Sequence, residues 1–163
     1  MTGDAVLVRR ANLADPIDAE DVLALLDGYA RDLMGGGMPL ADDVKSRLPG
    51  DLSARPGAVV LLARLDGMAA GLAVAFEGYS TFRARPLLNL HDFVVRPAFR
   101  GRRVALALLD SLEREATRRG CCKITLEVLE NNGRARQVYA RFGFAGYQLD
   151  PAAGKALFLE KNL

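Results

Sequence analysis

The stretch RPAFRGRRVALALL, from Arg96 to Leu109, places four arginines in eight residues directly before an apolar helical pattern. The N-terminus of a helix exposes unpaired backbone N–H groups and carries about half a positive charge, so it is a ready site for phosphate. Gly101 allows the backbone to turn tightly, and Ala105 leaves room for a ligand across the first helical turn. The stretch therefore predicts a pyrophosphate site, with an exposed, charged helix start as the alternative.

The overall charge restricts what this arginine cluster can bind. The chain has a formal net charge of only +2, so it has no overall basic field that could hold nucleic acid. A small anion is therefore the expected ligand, and a nucleic-acid contact is a weaker alternative. The three-glycine fingerprint of a dinucleotide fold is missing, which argues against that class of site.

The sequence also restricts metal binding and location. His91 is the single histidine, and Cys121 and Cys122 are adjacent, so neither a zinc spacing nor a disulfide between distant segments is expected. The first ten residues lack an apolar signal core, and no run approaches about 18 apolar residues, the length of a membrane span. We expect a soluble cytoplasmic protein with no metal and no membrane contact.

The elements that must position these residues form one predicted α/β domain, residues 1–163, in which half of the residues are hydrophobic. Asp15 and Pro16 predict the start of a helix, and Asp66-Gly67 predicts a hairpin turn. Strands are predicted at 5–10, on both sides of Asp66-Gly67, and at 87–95, 123–128, 144–149 and 156–161. Helices are predicted from 15 toward 33, at 41–52 with Pro49-Gly50 interrupting or ending it, from 102 to 119, and at 134–142.

Two motifs in order identify a family. The first motif consists of a predicted strand, then V-x-P at Val95 to Pro97, and then R-G-x-x-x-A from Arg100 to Ala105. The second is N-x-x-A-x-x-x-Y-x-x-x-G-F, from Asn132 to Phe144. Together they resemble the GNAT superfamily of acyl-CoA-dependent N-acyltransferases, although Arg103 stands at the family's central glycine position. Asn-Gly at 132–133 is also a common hairpin turn, but the helical spacing that follows argues against one.

The resemblance implies an α/β fold with a mixed, splayed central sheet of about seven strands flanked by about four helices. It also implies acetyl-CoA as co-substrate, with its pantetheine arm along the backbone of 93–95 and its pyrophosphate at the arginine cluster. The residues implied to bind it are Phe93, Val94, Val95, Arg100, Gly101, Arg102, Arg103, Val104, Ala105, Asn132 and Tyr139. In family members, the segment corresponding to 33–52 usually shapes the acceptor pocket.

Acetyl transfer to an amine needs an acid for the leaving thiolate and a base for the amine. Tyr139 is the candidate acid, because a phenol with a pKa of about 10 stays protonated at neutral pH; packing on an apolar face is its alternative role. Glu127, His91 and Asp92 are the candidate bases. An imidazole with a pKa of about 6.5 could serve at neutral pH. Glu127 could instead form only an ion pair, and His91 could be purely structural.

Two sequence resemblances guide the choice of base. Glu127 lies twelve residues before Tyr139, a spacing similar to GNAT enzymes that act on protein N-termini. LLNLHDFVVRPAFRG resembles the L-x-L-E-D-F-x-V-x-x-x-Y-R-G stretch of diamine acetyltransferases, with His91 replacing the glutamate of the pair and Asp92 retained. Neighbouring residues of an ideal strand face opposite sides, so His91 and Asp92 can line one pocket only if the strand is bulged.

The sequence therefore predicts an acetyltransferase that acts on a primary amine by direct attack in a ternary complex. The expected acceptor is a small molecule such as a diamine, a polyamine or an amino-acid-like amine. A protein N-terminus or a lysine is the alternative acceptor. A non-catalytic acyl-CoA sensor is the alternative of another class, because Arg103 and His91 replace residues of the family pattern. The resemblance also makes a homodimer plausible.

Overall fold

The computed structural model describes residues 5–147 and 150–163. The chain divides into two compact units, of which one ends at Leu126 and the other begins at Glu127. The first unit contains a five-stranded sheet with strand order β1-β2-β3-β4-β5. Its strands are β1 (Leu7–Arg10), β2 (Ala58–Leu65), β3 (Met68–Ser80), β4 (Arg85–Val95) and β5 (Ile124–Leu126). The α-helices are α1 (Pro16–Ala30), α2 (Asp42–Ala54), α3 (Val104–Arg118) and, in the second unit, α4 (Gly133–Phe142).

The sheet is mixed. The pairs β1–β2, β2–β3 and β3–β4 are antiparallel. The pair β4–β5 is parallel, because the chain crosses over through α3 between these two strands. The β2–β3 turn confirms the hairpin prediction, because Asp66 and Gly67 adopt φ angles of 54° and 75°. Two positive φ angles in succession are what a two-residue hairpin requires.

One face of the sheet is covered by α1. Asp15 caps this helix by accepting from the N–H of Ile17, and Pro16 occupies its first turn, as predicted. Its apolar stripe is Val22, Leu25 and Leu26, spaced to lie on one side of a helix. The stripe packs with α2, β2 and β3 into a buried cluster, here called the α1 core. Its members are Val22, Leu25, Leu26, Leu52, Val60, Leu62, Ala69, Leu72 and Val74.

The other face of the sheet carries α3. A Cβ atom added at Gly71 of β3 would lie 2.9 Å from Val104 Cγ1 and 3.1 Å from Leu108 Cδ1. The period of two along a strand places Ala73 and Ala75 on the same face as Gly71. These small side chains let α3 approach the sheet closely, which fixes the start of α3 beside the end of β4.

Several predicted helix boundaries differ from the structure, among them the end of α1, which lies at Ala30 instead of near 33. The second predicted helix is not ended at Pro49-Gly50, because α2 continues through both residues to Ala54. A proline inside a helix removes one hydrogen bond, and burial of Leu52 in the α1 core holds the last turn in place. The predicted start of α3 at Arg102 is two residues early.

The prediction of about seven strands is wrong, because the described residues form five. The strand predicted at 123–128 is reduced to Ile124–Leu126. Within the predicted strand 144–149, residues 148 and 149 lie outside the described residues, and 144–147 form no strand. Residues 156–161 are exposed and also form none. Apolar alternation alone does not make a strand, since the backbone also needs a hydrogen-bonding partner. Nothing in the structure tests the single-domain prediction, which stays a prediction.

Candidate active site

The arginine cluster forms a tight loop before α3. A short 3-10 helix, Pro97–Phe99, ends at the loop. Gly101 has a φ of 77° and Arg103, the N-cap of α3, has a φ of 65°. Residues other than glycine rarely adopt this left-handed backbone conformation. The backbone at Arg103 thus keeps a conformation suited to glycine, and its side chain is exposed to solvent.

The loop leaves a row of backbone donors free. Among the described residues, no acceptor takes the N–H of Gly101, Arg103, Val104, Ala105 or Leu106. Three of these groups belong to the first turn of α3, where intrahelical partners do not exist. Converging N–H groups at a helix N-terminus suit a phosphate or pyrophosphate group.

The arginine side chains of the loop have different surroundings. Arg102 donates to Asp66 at 2.8 Å, and its guanidinium lies 5.8 Å from the centre of the Phe99 ring. Arg100 donates from Nε to the carbonyl oxygen of Val95 at 3.3 Å. Arg102 is therefore tied to the β2–β3 turn, while Arg100 ties the loop to the end of β4. Arg103 has no side-chain partner among the described residues.

Strand β4 contains a bulge at His91. Asp92 lies opposite Val74 of β3 and Leu90 lies opposite Ala75, which leaves His91 without a counterpart. Asp92 therefore shares a face with Val74, a member of the α1 core. The His91 ring meets Phe76 edge to face, with ring centres 5.5 Å apart, and Phe76 packs against the same core. The bulge thus brings both side chains to the α1 face, the condition under which they can line one pocket.

Asp92 is half-buried and lacks stabilising partners. Among the described residues, no group donates a hydrogen bond to its carboxylate and no cation forms an ion pair with it. Burial raises the pKa of Asp92 above its ordinary value, and the nearby His91 opposes this rise only in part. A half-buried carboxylate with a raised pKa is a candidate proton acceptor in catalysis.

Tyr29 is a candidate site residue that sequence reasoning missed. It follows Leu25 by four residues and Leu26 by three, so it lies on the sheet-facing side of α1. Its hydroxyl donates to the carbonyl oxygen of Met34 at 3.4 Å. Burial, followed by the charge of Asp92, raises the pKa of the Tyr29 phenol. The sequence does show that Tyr29 continues the apolar stripe of α1. It does not show that this stripe faces the part of β4 that carries Asp92.

The segment after α1 is anchored by Asp27. Its carboxylate accepts from the backbone N–H of Leu40 at 2.8 Å and pairs with Lys45 at 3.1 Å and with Arg31 at 2.8 Å. These partners, Arg31 foremost, lower the pKa of Asp27 from 3.8 to about 2. Leu40 and Lys45, both within the segment predicted to shape the acceptor pocket, are thereby fastened to α1.

Strands β4 and β5 pair only over a short length. Their parallel pairing ends at Leu90 opposite Leu126, so the described register does not extend to residues 91–95. Val94 packs against the α1 core, and the Val95 carbonyl receives Arg100. The edge of β4 that includes Phe93, Val94 and Val95 is therefore where an extended ligand could add alongside the strand.

In the second unit, Asn132 caps α4 by accepting from the N–H of Ala135 at 3.2 Å, and Gly143 ends the helix with a φ of 100°. The hairpin alternative at 132–133 is therefore wrong. Tyr139 is buried, and its ring meets Phe144 edge to face at 5.7 Å. Glu127 is exposed and follows β5 instead of belonging to it, which corrects its predicted place on a strand.

A cavity of about 420 Å³ lies elsewhere in the first unit and includes Arg10, Arg55 and Arg119 in its lining. Arg119 caps the C-terminal end of α3, about 22 Å along the helix from the arginine loop. Arg10 and Arg119 are both within ion-pair distance of Glu115. Their charge thus already has a partner within the protein, so we do not place the acceptor site there.

Two further properties concern only the part of the chain that the structure describes. No group of three or more histidine, cysteine, aspartate or glutamate residues is arranged to hold a metal ion there. None of the helices there is both long enough and apolar enough to cross a membrane.

Comparison with solved structures places the fold among acetyltransferases. Ribosomal-protein-alanine N-acetyltransferase from Brucella melitensis biovar Abortus 2308 is similar with a TM-score of 0.74 and 23% identity, over 90% of this chain and 96% of that one. The aminoglycoside N-acetyltransferase AAC(6')-Iy, in complex with CoA, is similar with a TM-score of 0.75 and 23% identity, over 99% of this chain and 97% of that one. A probable acetyltransferase is similar with a TM-score of 0.78 and 18% identity, over 97% of this chain and 98% of that one. At these identities the likeness shows the fold alone.

The family model of the acetyltransferase (GNAT) family matches residues 24–144, well over half of the chain. The match includes α3 with its arginine loop, the bulged β4 and all of α4. The chain therefore belongs to the acetyltransferase (GNAT) family and is an acyl-CoA-dependent acetyltransferase.

Proposed function

We propose that this enzyme acetylates the primary amine of a small molecule, with Asp92 as the base that accepts a proton from the amine nitrogen. The half-buried Asp92 carboxylate, which no described donor stabilises, is the observation that carries the proposal. A diamine, a polyamine or an amino-acid-like amine is the proposed acceptor, because each is cationic at neutral pH and is attracted by a carboxylate.

The residues around the arginine loop fit acetyl-CoA, which supplies the acyl group. The free N–H groups of Gly101 and of 103–106 would hold the pyrophosphate, with Arg100 and Arg103 contributing positive charge. The edge of β4 at 93–95, beyond the pairing with β5, would lie along the pantetheine arm. Because Gly101 and Arg103 already have positive φ angles, the loop needs no rearrangement to present these donors.

The proposed reaction is a direct attack. The cationic amine first releases one proton to solvent and attacks as the neutral amine. Its nitrogen forms a bond to the thioester carbonyl carbon, a second proton passes from the nitrogen to Asp92, and the carbon–sulfur bond breaks. Tyr139 is proposed to protonate the departing thiolate, since a phenol retains its proton at neutral pH. Glu127 is the weaker candidate base because it is exposed. His91 is proposed to adjust the proton affinity of Asp92 through its charge.

Several sequence predictions remain part of this proposal. A protein N-terminus or a lysine is the alternative acceptor, and the acyl-CoA sensor is the alternative without turnover. The left-handed backbone at Arg103 weakens the case for the sensor, because it keeps the conformation that a glycine would adopt there. A single domain, a cytoplasmic location and a homodimer stay predictions.

Thiol release from acetyl-CoA against a panel of amines tests the proposed function. The panel contains diamines, polyamines, amino acids, aminoglycosides, lysine analogues and short peptides, and calorimetry measures acetyl-CoA binding in parallel. We expect binding, and turnover with one class of small amine. Turnover with peptides alone would establish the alternative acceptor. Binding without turnover of any amine would favour the sensor, and absence of binding would show that the arginine loop has been misread.

A further inference from the structure

Tyr29 and Asp92 lie on two elements that contact each other, α1 and β4. Asp92 lies on the α1 face of β4 because of the bulge, and Tyr29 lies on the sheet-facing side of α1, at its last turn. A hydroxyl and a carboxylate are therefore on facing sides of these elements, beside the place where we propose that the acceptor amine binds. The charge of Asp92, acting after burial, contributes to the raised pKa of the Tyr29 phenol, which agrees with this placement.

The hydroxyl of Tyr29 has an acceptor within hydrogen-bonding distance. It donates to the carbonyl oxygen of Met34 at 3.4 Å. Met34 is held in turn by Asp32, whose side chain accepts from the Met34 N–H at 2.9 Å. The turn packs tightly, because a Cβ added at Gly35 would lie 2.0 Å from the carbonyl oxygen of Tyr29. With its proton used in this way, the phenolic oxygen still has a lone pair with which to accept a hydrogen bond.

A neutral primary amine in the attacking pose has two N–H bonds and one lone pair. Asp92 can accept from one N–H, and the Tyr29 oxygen can accept from the other. The lone pair then points away from both residues and is free to attack the thioester carbon. An N-methylated secondary amine has a single N–H and must leave one of these two acceptors without a partner, which costs binding energy.

We propose that Tyr29 is a positioning residue whose phenolic oxygen, together with the Asp92 carboxylate, holds both N–H groups of the acceptor and so selects primary amines over their N-methyl analogues. This inference rests on the proposed function. It adds a specific contact on α1 and a substrate preference that follows from counting hydrogen-bond donors.

The test compares wild type with Tyr29→Phe, using the best amine from the panel and its N-methyl analogue. The analogue's affinity is measured by turnover or, if turnover is too slow, as a competitive inhibitor. We expect Tyr29→Phe to raise KM for the primary amine about tenfold while kcat and KM for acetyl-CoA change little. The analogue should be almost unaffected, so discrimination should fall by the same factor. Tyr79→Phe is the matched control, because Tyr79 lies exposed on β3.

If Tyr29→Phe weakens the affinity for the primary amine and for its N-methyl analogue by the same factor, or changes neither, the role of Tyr29 is overturned. The proposed function stays intact in both cases. A wild-type enzyme that acetylates no amine would overturn the proposed function and this inference with it. A melting curve of Tyr29→Phe that matches wild type ensures that a change in KM reflects the lost oxygen and not a loss of folded protein.

Discussion

Asp18 of α1 and Asp92 of β4 are both withdrawn from solvent, but their surroundings are opposite. The carboxylate of Asp18 is fully buried and accepts two hydrogen bonds from Arg9, at 2.6 and 2.7 Å, and one from the backbone N–H of Asn12 at 2.7 Å. Arg64 is a further partner at 3.5 Å. Asp92 has no such donors among the described residues.

The difference appears in the proton affinity of the two groups. The hydrogen bonds from Arg9 lower the pKa of Asp18 from 3.8 to about 2. Burial without donors raises the pKa of Asp92. A carboxylate whose hydrogen-bonding capacity is satisfied by the protein stabilises the fold, whereas a carboxylate left unsatisfied costs stability and is free to accept a substrate proton. Burial alone therefore does not separate a structural aspartate from one that we propose to be catalytic.

Exchanging each aspartate for asparagine should separate the two roles most strongly. Asp92→Asn removes the proposed base, so kcat/KM for the acceptor should fall about 10²- to 10⁴-fold while the melting temperature stays the same or rises. Asp18→Asn should leave the activity of the folded protein unchanged but lower the free energy of unfolding by about 2–3 kcal/mol, because it leaves Arg9 without its buried partner. Asp110→Asn, on the exposed side of α3, is the control for both. Activity loss in Asp18→Asn at full folding would break the comparison.

Acid unfolding should sharpen the structural half of the comparison. Because the pKa of folded Asp18 is lowered to about 2, the stability that it contributes is present above its ordinary value of 3.8 and is lost as pH falls toward about 2. Asp27 and Glu115, whose pKa values are also about 2, contribute in the same range. Denaturant unfolding from pH 5 to about pH 2 should therefore show a shallower pH dependence in Asp18→Asn than in wild type. Identical slopes would contradict the role of its ion pairs.

Among these substitutions, His91→Ala should have the smallest effect on activity. It tests the proposed role of Asp92 as the base. A protonated His91 lowers the pKa of Asp92, so its removal should raise the pKa of the base. We expect the acidic limb of the pH–rate profile to move to higher pH by less than about one unit, since the imidazole is exposed and its charge is screened. A shift to lower pH, or complete loss of activity, would indicate that His91 itself is the base.

Local signals explain which parts of the fold could be predicted from the sequence. Asp66-Gly67 and Asp15-Pro16 specify a turn and a helix start through their own backbone preferences, and Asn132 and Gly143 have comparable roles at the two ends of α4. The bulge at His91 depends on the register of β4 against β3, which the sequence of β4 alone does not determine. Tyr29 was missed for a similar reason, because Asp92, on the strand that α1 contacts, lies more than sixty residues away along the chain.

The pH dependence of kcat/KM for the acceptor, measured for wild type and for Asp92→Asn, tests the central claim most directly. If Asp92 is the base, wild type shows an acidic limb with an apparent pKa above the ordinary aspartate value of 3.8. The same limb is then absent from the residual activity of Asp92→Asn. An unchanged limb in the variant, at an undiminished rate, would contradict the claim and assign the proton transfer to another residue.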